Sequence, residues 1–450
     1  MAEPDWIPPF IPQPPVPDKP LQRLRNAMTC GARNWPASIY RDAVTPILGA
    51  RILMVTDAGL LQQILVSDAQ NFEQAETTLN ILRPVWRGGI AAVTGQAWRW
   101  QRRAAAPLFT PACAQEVVPA AQSAARRMIA RIDPVADLTQ QTADAMTQVV
   151  FDTFLTGAND PDAKAQFAQA GQDLTADMSR INIADVLQLP AVLRPLFGAT
   201  GKAAAARLHA IVTRVIGQAN SAIEGSLRAR LMAATDPETG HAMTPDLVRD
   251  NIVGTLAAGR ETTGLSLSWA IWALSHQPQV QDRLRREIAQ AGLPPDLTPQ
   301  CLTRMPYLRQ VIYEAMRLFP AAPVLGRQVA ADVALDGHQF KKGQLLLIPV
   351  YALHRHPDFW DRPAVFDPDR FHTDKFDARA ARSRFMPFGA GPRICLGMAF
   401  AMAELETMLA TILRGHRIEP VGAPDDVVLE MGATLRARDG LHVRLLADPV

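Results

Sequence analysis

Between residues 55 and 290 apolar residues recur three and four positions apart, with alanine, leucine and glutamine abundant, which is the spacing of helices that turn one face to a core. A mostly helical body is expected. The stretch from Pro245 to about Ser275 has no proline after its first residue, and Thr244 and Asp246 offer an N-cap and a first-turn acid, so it reads as one long helix through the core. Tyr307 to Phe319 reads as a second helix, stopped by Pro320, and a third runs from Leu396 to about Arg414. Two short stretches are β-prone instead: Arg51 to Val55, and Gln344 to Tyr351 after the turn-like Lys342-Gly343. From Pro357 to Pro387 the chain turns loop-like, with four prolines and six aspartates. The fold class predicted is mainly α with small β-sheets.

Composition narrows the picture by exclusion. The chain has 450 residues, enough to bury a large core, and 48% hydrophobic with 20% charged residues is ordinary globular composition. A formal charge of +2 marks neither nucleic acid nor an anionic membrane as partner. Cys30, Cys113, Cys301 and Cys395 lie far apart, without zinc-site or disulfide-framework spacing, which fits a reducing cytoplasm. The proline-rich lead, residues 1–21, lacks the basic and apolar regions of a signal peptide, and no uncharged run approaches the ~18 residues of a membrane span. No internal repeat or low-complexity linker divides residues 22–450, so they are expected to form one domain with no membrane anchor.

The chemistry concentrates in Phe388-Gly389-Ala390-Gly391-Pro392-Arg393-Ile394-Cys395-Leu396-Gly397. This is a glycine-rich loop that presents a thiol just before a helix. Glycines let a backbone approach a flat partner, and amides at a helix start can stabilise a sulfur anion. Arg393 can meet an anionic group. A lone cysteine is usually a small buried hydrophobe. However, Phe-Gly-x-Gly-x-Arg-x-Cys-x-Gly arises by chance in about one in 10⁵ chains of this length, given ordinary residue frequencies. The segment resembles the haem-binding loop of the cytochrome P450 family, with every fixed position filled. The resemblance implies that Cys395 is the proximal ligand of a haem b iron, with Phe388, Gly389, Arg393 and Gly397 around the cofactor.

Further elements follow in family order. Glu314 and Arg317 stand i, i+3 on a helix, and Arg370 lies in the proline-containing meander. A lone Glu-x-x-Arg is usually a weak surface pair, but with the second arginine it resembles the family's buried Glu-Arg-Arg network, a structural support for the haem loop. Ala258-Gly259-Arg260-Glu261-Thr262-Thr263 in the long helix resembles the family's acid-alcohol pair. That implies Glu261 as proton relay and Thr262 as hydrogen-bond partner of bound oxygen, whereas threonine bonding back to an earlier carbonyl is the ordinary explanation for such residues in a helix. Arg260 has no role in this reading. Trp98 and Arg102, one turn apart, match the family's propionate donors, and Arg327 and Arg393 extend the set. His354 and His356 form a His-x-His pair without the further ligands a metal site needs.

The resemblance implies a triangular, mostly helical single domain, with haem between the long central helix and the helix after the cysteine. It further implies a soluble bacterial-type monooxygenase inserting one oxygen atom from O2 into a small organic substrate. A ferredoxin- or flavodoxin-type donor with its reductase would supply electrons, because the chain leaves no room for a redox module. Arg99, Arg103, Arg382 and Arg384 are candidate docking charges. The pocket is expected to draw on the loop after Asn71, the region from Asp173 to Val192, Ala257 and Ala258 of the long helix, Ala321, Ala322, Val324 and Leu325, then Thr434 and Leu435. Such residues describe a largely apolar pocket. A peroxide-driven relative and a non-catalytic haem binder are the rivals, and neither needs an acid-alcohol pair.

Overall fold

The computed structural model describes residues 6–11, 19–47, 51–155, 160–178, 200–218, 226–377 and 381–448. The Pro245–Ser275 helix is a single 31-residue rod, the central helix. It begins where Thr244 accepts a hydrogen bond from the Leu247 amide at 3.3 Å, with Pro245 in the first turn, where no backbone donor is missed. Apolar and small residues dominate all sides of its C-terminal half, so it must be enclosed. Helices Leu138–Phe154, Thr200–Gln218, Pro306–Leu318 and Met398–Gly415 pack around it. At the centre Trp269 stacks on Phe319, with ring centroids 4.1 Å apart, and Trp272 meets Trp269 edge-on. Both tryptophans are buried.

Eleven strands occur among the described residues. Val44–Pro46 (β1), Ile52–Val55 (β2), Phe72–Gln74 (β3), Leu325–Val329 (β4) and Leu345–Ile348 (β7) form a sheet in the order β1-β2-β7-β4-β3. Pairs of strands make up three small sheets: Val333–Leu335 (β5) with His338–Phe340 (β6), Leu429–Met431 (β9) with Leu435–Ala437 (β10), and His416–Pro420 (β8) with Val443–Ala447 (β11). The β-prone segment after Lys342-Gly343 is shorter than its composition implies. Pro349, which has no ladder donor, ends β7 and opens the short helix Val350–Leu353. Strand β3, only three residues long, carries no periodic signal. Its pairing with β4 nevertheless sets Gln74 opposite Arg327.

The helix expected over Tyr307–Phe319 is observed as Pro306–Leu318, and the one expected from Leu396 begins at Met398, leaving Cys395 in the loop before it. Part of the proline-rich lead is held against the body. Trp6 packs on Trp272, His276 and Phe366, and the Ile11 amide donates to the Tyr351 hydroxyl at 2.9 Å. No helix among the described residues is long and apolar enough to cross a membrane.

Candidate active site

Beneath the central helix lies a cavity of about 390 Å³, on the scale of enclosed ligand sites. Its floor is the cysteine loop. Gly389 and Gly391 have φ of +74° and +72°, a left-handed region that side chains disfavour. Gly391 has a second constraint, because a Cβ there would sit 1.7 Å from the Leu65 carbonyl oxygen. The loop is closed by the Cys395 amide, which donates to the Phe388 carbonyl at 2.9 Å. Cys395 opens onto the cavity, whereas Cys30 and Cys301 are buried in the core. Desolvation pushes its thiol pKa up, while the Gly397 amide and the Arg102 charge pull it down.

Three arginines converge on the same cavity from three elements. Arg102 comes from helix Gly95–Ala105, Arg327 from β4 and Arg393 from the cysteine loop. Burial, then repulsion from Arg393, brings the Arg327 pKa down to about 10. The Arg393 pKa also falls to about 10, chiefly by burial, with Glu73 opposing and Arg102 reinforcing the fall. Arg102 is likewise lowered by burial, against the pull of Cys395. Arg393 lies over the Trp98 ring, 4.4 Å from its centroid, and donates to the Val93 carbonyl at 3.0 Å. Among the described residues Arg327 finds only Gln74 Oε1 at 3.4 Å and its neighbour's carbonyl. Three like charges brought together with little compensation make a site for a multiply charged anion.

The loop is supported by a buried ion network. Glu314 and Arg317 are completely inaccessible, and both guanidinium donors Nε and Nη2 reach the carboxylate at 2.7 Å. Arg317 also donates to the carbonyls of His354, Pro363 and Val365, while Arg370 Nε donates to Glu314 at 3.0 Å. His354, dismissed at the sequence level as a metal ligand and given no other task, joins this network to the loop. Its Nδ1 donates to the Arg317 carbonyl at 3.2 Å and its Nε2 accepts the Met386 amide at 3.0 Å. Burial and the neighbouring Arg317 hold its pKa down to about 3, so the ring is neutral and this tautomer is the one that fits.

A family model for cytochrome P450 matches residues 45–442. The chain belongs to the cytochrome P450 family. Over 427 residues, 88% of this chain and 82% of the relative, it is 28% identical to taurochenodeoxycholic 6 alpha-hydroxylase of Sus scrofa. It is also 28% identical to cytochrome P450 4A6 of Oryctolagus cuniculus over 422 residues, 87% and 80% of the two chains. Cytochrome P450 4V2 of Homo sapiens is 33% identical over 217 residues, 48% of this chain and 41% of that protein. These relatives are animal proteins and lend no weight to a bacterial type. As a cytochrome P450 the chain takes haem b and is a haem-thiolate monooxygenase, acting on an organic substrate with O2 and a redox partner.

The residues fit that cofactor, with a cysteine facing the cavity, a loop too tight for a Cβ at Gly391, and arginines placed for two carboxylates. Of the expected cofactor residues, Trp98, Arg102, Arg327, Phe388, Gly389, Arg393, Cys395 and Gly397 all line the cavity. The acid-alcohol pair is divided. Thr262 lines the cavity, with its hydroxyl donating to the Ala258 carbonyl at 2.9 Å. Glu261 does not line it. Its carboxylate accepts from Arg436 and, at 2.9 Å, from Thr175, with Arg260 3.7 Å away. Arg260, unexplained by sequence, turns away from the cavity to Thr147 at 3.1 Å and Asp144 at 3.5 Å.

The expected pocket residues are placed in two groups. Ala258 and Leu325 line the cavity, but Ala257, Val324, Thr434 and Leu435 do not. Leu435 is fully buried in β10 and its carbonyl accepts from the Trp269 indole at 3.4 Å, while Thr434 accepts from Arg436 Nε at 3.0 Å. Residues 179–192 of the expected pocket region lie outside the described residues. Sequence reasoning missed Glu404, on the helix after the cysteine, which lines the cavity and faces Thr263. It also missed Trp86 and Thr255. A buried glutamate nine positions after the cysteine carries no periodic signal of its own.

Proposed function

We propose that this P450 inserts one oxygen atom from O2 into a largely apolar organic substrate, with residues 22–450 as its haem domain. The carrying observation is the convergence of Cys395, the three arginines and Thr262 on one apolar-walled cavity. Cys395 would ligate the iron, with Trp98, Arg102, Arg327 and Arg393 holding the propionates. The haem supplies oxygen activation, the part of the chemistry no side chain here can perform. Around it, Thr262 offers a hydroxyl on the face of the central helix that meets the cavity. Glu261 can deliver a proton there only after its pair with Arg436 opens, since Thr175 and Arg436 occupy both carboxylate oxygens. The Thr262 hydroxyl on the cavity, with an adjacent acid that becomes available once the Arg436 pair opens, favours oxygen-driven turnover over the peroxide-driven and non-catalytic readings.

Electrons would come from a separate ferredoxin- or flavodoxin-type donor with its reductase. The docking charges proposed for it need one revision. Arg103 is committed to Asp236, at 2.6 and 2.7 Å, and to Glu238, at 3.1 Å. Arg99 and Arg382 are exposed and remain suited to the role.

The decisive experiment is spectroscopic. Reduced protein under carbon monoxide should show the long-wavelength band of a thiolate-ligated haem, and Cys395→Ser should lose it while the Cys113→Ser control keeps it. Retention of the band in Cys395→Ser would remove the assignment.

A further inference from the structure

The central helix carries six hydroxyl side chains, and five have partners within the protein. Thr262 and Ser266 bond back to carbonyls four residues earlier, Ser268 and Ser275 to carbonyls three residues earlier, and Thr263 faces Glu404. Thr255 lines the cavity and has no hydrogen-bond partner among the described residues. It is half-buried rather than sealed in the core. Asn251, one helical turn earlier and also lining the cavity, is already engaged. It accepts from the Ile90 amide at 3.0 Å and donates to the Leu247 carbonyl at 3.0 Å and to Gln101 at 3.3 Å.

Apolar side chains make up much of the cavity wall that Thr255 shares. Leu82, Trp86, Val150, Phe154 and Leu231 share its cavity. Trp86 lies so close to the helix that a Cβ on the adjacent Gly254 would sit 2.2 Å from its ring. Among the described lining residues the cations are Arg102, Arg327 and Arg393, which come from other elements and serve the cofactor's own carboxylates. Among the described residues an ionised substrate group beside Thr255 would therefore meet no counter-charge of its own, whereas a neutral oxygen would gain one hydrogen bond.

Thr255 and Thr262 are seven residues apart, two helical turns less about 20°. They share one face of the helix with a rise of roughly 10 Å between them. We propose that the substrate is a neutral, mainly apolar molecule bearing one hydroxyl or carbonyl oxygen, which pairs with Thr255 about two helical turns from the oxygen-activating end of the cavity. Thr255 is then the residue that selects substrates by polarity. This rests on the monooxygenase reading of the same cavity.

The test uses holoprotein and three probes of similar length: 1-decanol, 1-chlorodecane, which lacks a strong hydrogen-bonding group, and decanoate. Binding is followed by the substrate-induced change in the haem spectrum and by calorimetry. The wild-type protein should prefer 1-decanol over 1-chlorodecane by roughly 3- to 10-fold, the range of one net hydrogen bond, with decanoate weakest. Thr255→Val, nearly isosteric, should abolish that preference and leave 1-chlorodecane affinity unchanged, and Thr255→Ser should restore it. An equal preference in wild type and Thr255→Val, or tighter binding of decanoate than of 1-decanol, would overturn the proposal. The carbon monoxide band separates the two levels. Its presence in wild type with no effect of Thr255→Val rejects the Thr255 anchor alone, and its absence rejects the monooxygenase reading beneath it.

Discussion

Glu404 shows how one buried side chain ties the site to pH. Burial pushes its carboxyl up to about 8, with only the Thr263 hydroxyl pulling it down, so the group is neutral in the folded protein where an exposed glutamate is ionised. Between about pH 4.5 and 8 the folded state therefore holds a proton that the unfolded state has released. Its contribution to stability is complete below about 4.5 and is lost as pH rises toward 8. The melting temperature of the wild-type protein should carry a downward slope over that window. Glu404→Gln, which keeps the neutral shape, should flatten it, and an unchanged slope in Glu404→Gln would place the proton elsewhere. Glu261 sits differently, since its hydrogen bonds from Arg436 and Thr175 hold it off the cavity.

At the scale of elements, the helix Pro306–Leu318 and the meander are joined by charge in a place where water does not reach. Arg317 satisfies its donors with one carboxylate and three carbonyls, so its burial is tolerated only while every partner is present. Glu314→Ala should cost roughly 3–5 kcal/mol of stability, because it strands a fully buried guanidinium. Denaturant unfolding measures that loss. Because His354 passes the network's position on to Met386, haem retention should fall in the same variant. A stability change under about 1 kcal/mol would mean that the network relaxes around the gap. The cysteine loop depends on an equally local constraint, the contact of Gly391 with the Leu65 carbonyl.

The whole molecule decides which surface charges are available. Arg103 looks like a free cation in a basic helix, but the bidentate pair with Asp236, whose carboxyl is held well below the usual range by that contact, removes it from the docking surface. Reversal at Arg103 would break a structural contact and so could not report on docking alone. Arg99→Glu should slow reduction by an acidic donor while sparing substrate affinity, and added salt should slow reduction of the wild type more steeply than that of the variant. Stopped-flow reduction at two ionic strengths checks both. Equal salt dependence in the two proteins would exclude Arg99 from the interface.

The cofactor loop, the central helix and the Glu314-Arg317 pair were legible in the sequence because each depends on near neighbours, whereas Arg370, 56 positions from Glu314, was joined to them by family resemblance. Gly389 and Gly391 are required by local backbone geometry, Cys395 precedes a helix start, and Glu314 and Arg317 meet one helical turn apart. What escaped was decided by contacts between distant segments. Glu261 and Thr262 are adjacent in sequence yet diverge, because Arg436 in β10 lies 175 positions away and captures only one of them. Leu435 is held in β10 by its pairing with Met431 and by the Trp269 hydrogen bond, and Thr255 stands out only once its five fellow hydroxyls are seen to be paired. The sequence by itself thus determined the main helices, through local spacing, and the family and its cofactor loop, through the resemblance of one contiguous motif. Only the tertiary structure decided which polar groups remain free to meet a substrate, because that depends on what every other part of the chain has already claimed.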